Sequence, residues 1–233
     1  MSLVVVTAPV QEPLGLTEVY DHLRVGVGVT TTPDDARLLR LIRAARERVE
    51  THTRRALCQQ TLRYIMDERH HGPYEHGGGF GNGFRELPGT WWGALNAWWH
   101  RPRPLVLQHP PIQEVVGIQY YDVNNAQQSI DAGNYYIDCS AQAPQIEFIE
   151  GYVGPQMYNR ADAVQITYVA GYAVGLMDDD VTPDYAANIP QTIKEAMLLL
   201  VENAFDVMLP AEELVIDARI DSMLANYRVE RFS

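Results

Sequence analysis

The chain has 233 residues, 46% of them hydrophobic, enough to bury a sizeable core in one domain or two small ones. A formal net charge of -12 and a pI of about 4.9 argue against general electrostatic binding to nucleic acid. The two cysteines, Cys58 and Cys139, supply neither a disulfide framework nor the four clustered ligands of a zinc site, and they fit a reducing compartment.

The N-terminal MSLVVVTAPV lacks a basic n-region and is too short to span a membrane, so it reads as an arm or extended strand. No other segment approaches spanning length, which predicts a soluble, cytoplasmic protein with no membrane partner. Leu16 to Arg24 reads as a short helix with Thr17 as N-cap. Thr32-Pro33-Asp34-Asp35 is a strong helix start: Thr caps, Pro suits the first turn and the acids favour the positive end of the dipole. Leu38, Ile42, Ala45 and Val49 then form one apolar stripe on a helix running to about Arg54, with Arg37, Arg40, Arg43, Arg46 and Arg48 on its remaining surface.

Strand chemistry begins near Gln60 with QTLRYIMDE. A Gly/Trp-rich loop, 70–103, follows; segments of this length are usually functional or mobile. Pro104 to Asp122, PLVLQHPPIQEVVGIQYYD, reads as strand, rigid corner, strand. Pro110 and Pro111 fix φ and carry no N–H, whereas Val115, Val116, Ile118, Tyr120 and Tyr121 are β-formers. NYYID (134–138), QIEFI (145–149) and VQITYVAGY (164–172) continue the β block. Val164, Ile166 and Tyr168 alternate with Gln165, Thr167 and Val169 as in a half-buried strand. A loop with Asp178, Asp179, Asp180 and Asp184 comes next.

Pro190 opens a second helical region whose stripe is Ile193, Met197, Leu200 and Ala204, thickened by Leu198, Val201 and Phe205. Pro210 breaks it, and Ala211 to Tyr227 carries Ile216, Ile220, Met223 and Tyr227. The order predicts a single α+β domain over 1–233: a mainly helical body, 14–56 plus 189–228, with two N-terminal and two C-terminal helices. An antiparallel β insertion, 57–172, interrupts it, and a tail, 227–233, closes it. Charge is uneven along the chain. Asp34 to Arg55 holds 7 basic and 4 acidic residues, and Asp178 onward holds 12 acidic and 4 basic. Such asymmetry suits either two solvated helix faces or head-to-tail pairing of copies.

Motifs that carry chemistry are sparse. His70, His71 and His76, near Asp67 and Glu68, match no standard metal-ligand spacing and suit a solvated loop. The GGGFGNG run has neither the P-loop Lys nor the GxGxxG register. There is no GxSxG elbow, and neither cysteine lies in a nucleophile signature. The DDD run at 178–180 suits solvation or a hard cation. Trp91, Trp92, Trp98 and Trp99, rimmed by Arg101 and Arg103, form either a partner-binding loop of hot-spot residues or a flap folded over the sheet.

Several segments in order resemble the head-tail connector (adaptor, or head-completion) family of long-tailed bacteriophages and phage-like particles. They are LTEVYDHLR, DDARLLRLIRAARERVETHTRRAL with QTLRY after it, PLVLQHPPIQEVVGIQYYD, NYYID, VQITYVAGY and IPQTIKEAMLLLVENAFD. The 70–103 insertion and the acidic Gly171–Pro190 linker depart from the family pattern. The resemblance implies a structural virion assembly protein rather than an enzyme, made in the bacterial host cytoplasm and placed at the head-tail junction. It implies a ring, commonly of twelve copies, without cofactor, that joins the portal to tail or stopper proteins. DNA would pass through its channel without sequence-specific binding. The tail, Tyr227, Arg228, Val229, Glu230, Arg231 and Phe232, is the expected portal-binding element, and the four tryptophans the expected second contact. Two alternatives of other classes are a metal-dependent hydrolase built on His70, His71 and His76, and a monomeric binding module that uses the Trp loop.

Overall fold

Apolar residues at helical spacing and β-branched residues at alternate positions sort this chain into two units, each with its own core. The computed structural model describes residues 2–25, 33–66, 105–138, 144–152, 154–176, 183–206 and 210–229, with backbone alone at 210–216. One unit comprises the described residues of Met1–Ala8, Thr61–Gln108 and Ile112–Val169. The other comprises those of Pro9–Gln60, His109–Pro111 and Ala170–Ser233.

The second unit holds four α-helices among the described residues: α1 (Leu16–Leu23), α2 (Asp35–Thr53), α3 (Gln191–Phe205) and α4 (Pro210–Leu224). Helix α2 packs on α3, and α3 also packs on α1 and α4. The predicted stripe of Leu38, Ile42, Ala45 and Val49 is buried in one cluster with Ile193, Met197, Leu200 and Val201. Ala204, placed on the α3 stripe by spacing, is exposed instead. The caps also differ from expectation. Thr17 lies inside α1, whose N-cap is Gly15 in an extended conformation, and α2 is capped by Asp34 with no side-chain cap bond. Pro210 stands at the first position of α4, where a missing N–H costs nothing. A 3₁₀ turn, Ala225–Tyr227, ends the helical run.

The proline corner belongs to this unit as an acceptor. Proline has no N–H to give, but its carbonyl is unimpaired. The Pro110 carbonyl accepts from the Ala56 N–H at 3.2 Å and the Pro111 carbonyl from the Gly171 N–H at 2.9 Å. A two-stranded ribbon, β9 (Gly175–Leu176) with β10 (Pro183–Asp184), completes the unit.

The other unit contains most of the β structure. A five-stranded sheet runs in the order β1 (Ser2–Thr7), β2 (Gln60–Met66), β8 (Val164–Ala170), β4 (Ile112–Tyr121) and β5 (Gln127–Ile130). A three-stranded sheet orders β3 (Leu105–Val106), β7 (Gln145–Phe148) and β6 (Tyr135–Asp138). The stretch read as strand, corner, strand thus feeds two different sheets. Strand β8 is central and more buried than its alternation predicts. Val164, Ile166 and Tyr168 are sealed, but so is Gln165. The Tyr168 hydroxyl donates to the Gln108 carbonyl at 2.9 Å, and burial holds its phenol above the ordinary tyrosine range.

The expected mainly helical balance is therefore corrected: strands and helices contribute about equally among the described residues. The shortfall came from strands without an apolar period. QQSI (β5), GL (β9) and PD (β10) are extended because a neighbouring strand pairs with them, not because their own side chains alternate.

Candidate assembly surfaces

Helix α2 was expected to carry its arginines on a solvated or subunit-facing surface, and the structure corrects this for Arg46. Arg46 follows Ala45 on the buried face, one turn before Glu50, and is itself buried. Its Nη1 donates to Glu50 Oε2 and its Nε to Glu12 Oε2, both at 2.7 Å. The other Glu50 oxygen accepts from the Leu57 N–H at 2.8 Å and the Gln60 amide at 3.2 Å. Burial pushes the Glu50 carboxyl above the ordinary range, against the pull of the Leu57 N–H and the Arg46 charge. Loss of hydration lowers the Arg46 guanidinium, but Glu50 and Glu12 outweigh it and hold the group above its ordinary value. Cys58 lies beside this network. Burial first, and the Glu50 charge second, push its thiol up to about 12, so it is no nucleophile at neutral pH.

The uneven charge distribution is partly matched within one chain. Arg48 Nη2 meets Asp217 Oδ1 at 2.8 Å, His52 Nδ1 lies 3.5 Å from Asp221 Oδ1, and His22 Nε2 lies 3.0 Å from Glu202 Oε2. Arg37 donates to the Phe205 carbonyl at 3.0 Å, with its guanidinium 4.7 Å from the centroid of the Phe205 ring. The basic helix α2 thus faces the acidic C-terminal helices directly.

Of the predicted portal-binding residues, Tyr227, Arg228 and Val229 are described. They lie against the C-terminus of α2. The Val229 N–H donates to the Thr53 carbonyl at 2.9 Å, Arg54 Nη1 to the Val229 carbonyl at 3.3 Å, and Arg55 Nε to the Tyr227 carbonyl at 2.6 Å. The first bond satisfies a helix carbonyl where α2 runs out of its own donors and stops at Arg54 in the left-handed region (φ 56°), and the other two hold carbonyls of the tail. Val229 is buried and Arg228 exposed. Glu230, Arg231 and Phe232 lie outside the described residues. So do Trp91, Trp92, Trp98 and Trp99, the histidines His70, His71 and His76, Cys139 and Asp178 to Asp180. Asp184 is described, and its carboxylate accepts from the Ala186 N–H at 2.8 Å.

Sequence reasoning missed the Arg46–Glu50–Glu12 network and the tail clamp. The i, i+4 spacing of Arg46 and Glu50 next to the apolar stripe was the available signal for the first. Nothing local signals the second, in which Arg54 and Val229, for one pair, are 175 positions apart. Among the described residues no three His, Cys, Asp or Glu side chains gather as metal ligands, and no helix is long and apolar enough to cross a membrane.

The sequence matches no family model and no curated protein. Solved structures do match it along its full length. A chain in the virion of the native gene transfer agent (GTA) particle has a TM-score of 0.65 at 20% identity, covering 100% of this chain and 98% of that one. A chain in the neck of an empty GTA particle, computed with C6 symmetry, has a TM-score of 0.65 at 21% identity with the same coverages. One in the neck of the native particle, computed with C12 symmetry, has a TM-score of 0.63 at 19% identity, again with the same coverages. At this identity the likeness establishes a shared fold.

Proposed function

We propose that this chain is a structural, non-catalytic component of a phage-like particle: a head-tail connector, or adaptor, whose copies form a ring between the portal and the tail or stopper proteins. The observation that carries the reading is the end-to-end likeness to chains of a GTA neck, one of them in an assembly with C12 symmetry. That likeness agrees with the ordered segments that resemble the connector family. Twelve copies is accordingly the expected ring size. The helical segments 14–56 and 189–228 form the ring body, and the β insertion 57–172 carries the Trp loop toward a tail-side or capsid partner. The net charge of -12 suits a channel that lets DNA pass without holding it, because like charges repel.

The portal contact is assigned to the tail. Tyr227 and Val229 are engaged with α2, which supports an anchoring role for them, and Arg228, Glu230, Arg231 and Phe232 are the residues proposed to meet the portal. The test is co-assembly with the portal protein of the same genome, imaged by electron microscopy. A ring seated on the portal is the expected result. Failure of the two proteins to associate sinks the adaptor reading.

A further inference from the structure

Strand β1 is an edge strand among the described residues. It pairs with β2 on one side, from Ser2 opposite Ile65 to Thr7 opposite Thr61, with an irregularity between Val5 and Thr7. No described strand pairs with its other side. Soluble proteins usually blunt such an edge with lysine, proline, an inward charge, a bulge or a covering segment, and of these the described residues of β1 show only the irregularity after Val5. Here no charged residue occurs between Ser2 and Val10. Val4 is 44% exposed, Val5 54% and Val6 46%, and alternation puts Val5 on the face opposite Val4. Among the described residues the strand therefore has an outer edge that no strand pairs with, flanked by β-branched apolar side chains on both faces, which suits a further extended strand.

The same sheet supplies a counterpart. Its opposite edge is β5, and no described strand covers that edge either. Gln127, Gln128 and Ser129 are exposed, and QQSI carries no charge to repel an apolar strand. Two different open edges on one sheet fit a contact repeated head to tail, in which every copy gives one edge and receives the other. Pairing β1 with β1 would instead leave β5 open. The irregularity after Val5 limits the regular part of β1 to a length close to the four residues of β5.

We propose that β1 of one copy adds to the β5 edge of the next, so that the five-stranded sheets join between neighbouring copies. The closure of such contacts into a ring rests on the function proposed above, but the contact itself does not.

The test uses the full chain in a Cys139→Ser background, where the remaining Cys58 is buried and unreactive. Val5→Cys and Ser129→Cys are introduced singly and together. Each form is treated with a short bismaleimide at high protein concentration, alone and with the portal protein. The double variant is expected to give a ladder of multimers, a mixture of the two single variants a dimer, and each single variant no cross-link. Adding Val4→Lys and Val6→Lys to the double variant should reduce the ladder at least tenfold while circular dichroism stays unchanged. No ladder under either condition overturns the proposal. So does self-linking of Val5→Cys alone, which would mean two-fold β1 pairing, and so does linking of Val5→Cys only to the portal. Portal-seated rings without the ladder would remove the strand contact and keep the adaptor reading. A ladder without portal complexes would do the reverse.

Discussion

Arg46 and Glu50 stand one turn apart on α2 and meet at 2.7 Å with only 7% and 9% of their surfaces exposed. A charge pair so sealed gains little over apolar packing, but losing one member strands the other. Glu50→Ala removes one carboxylate of Arg46 and the acceptor of both the Leu57 N–H and the Gln60 amide. It should destabilise the chain by about 3 kcal/mol in urea unfolding. Glu50→Gln, which can still accept from Leu57, should cost distinctly less. A loss under about 1 kcal/mol for the alanine variant would mean that the site hydrates freely.

The same carboxyl gives a pH dependence of defined sign. Burial raises Glu50 in the folded state above its unfolded value, so in that window the native state binds more protons than the unfolded one. This contribution is complete below the ordinary carboxylate range and is lost as pH rises through the raised value. The stability of the wild type minus that of Glu50→Gln should therefore fall as pH rises from the ordinary carboxylate range toward neutrality. Unfolding series of both proteins at matched pH would reveal it. A difference that grows with pH would reverse the assignment.

Gly171 is fixed by its surroundings. Its φ is +117°, and a Cβ there would come within 2.6 Å of the Gln59 backbone nitrogen and closer still to the Cys58 carbonyl. Both obstacles are backbone, so neither can turn aside. Gly171→Ala should cost about 3 kcal/mol. Gly117→Ala, at a strand position with no atom within 4 Å of the new methyl, should change stability by less than about 0.5 kcal/mol. Equal effects in thermal melts would contradict the distinction.

What was legible in the sequence depended on how far each feature reaches along the chain. The α2 stripe, the extended N-terminus and the β8 run are set by neighbours within a few residues, and the structure has them where the periods put them. Strand β5 was illegible because Gln127, Gln128 and Ser129 are exposed and only the partner β4 makes them a strand. The burial of Gln165 was illegible for a related reason: central position in a sheet is a property of the order of strands, not of the strand. The tail was singled out through the family resemblance, and its attachment to Thr53, Arg54 and Arg55 exists only after folding.

Arg48 and Asp217 are also joined, at 2.8 Å, but their side chains are 55% and 36% exposed. Water competes for both groups, and holding two long side chains together costs entropy. A double-mutant cycle with Arg48→Ala and Asp217→Ala should give a coupling of no more than about 0.5 kcal/mol, fading in high salt. A coupling above about 1.5 kcal/mol would mean that the α2–α4 charge contact is shielded from solvent.

The C-terminal clamp separates anchoring from docking. Truncation after Val229 keeps the Val229 N–H on Thr53 and the Tyr227 carbonyl on Arg55, so stability should stay within about 0.5 kcal/mol of the wild type. Truncation after Asn226 removes both of these, the bond from Arg54 to the Val229 carbonyl and the buried Val229 side chain. It should cost about 3 kcal/mol, from three hydrogen bonds at about 0.5 kcal/mol each, the low end of their range, and a buried valine at about 1.5 kcal/mol. Portal binding should follow a different order. If Arg228, Glu230, Arg231 and Phe232 make the contact, the milder truncation already weakens binding at least tenfold while leaving the melting temperature in place. Calorimetric melts and a portal pull-down on the same two proteins give both readouts. Full portal binding by the chain ending at Val229 would remove residues 230–232 from the contact and leave the clamp a structural device only.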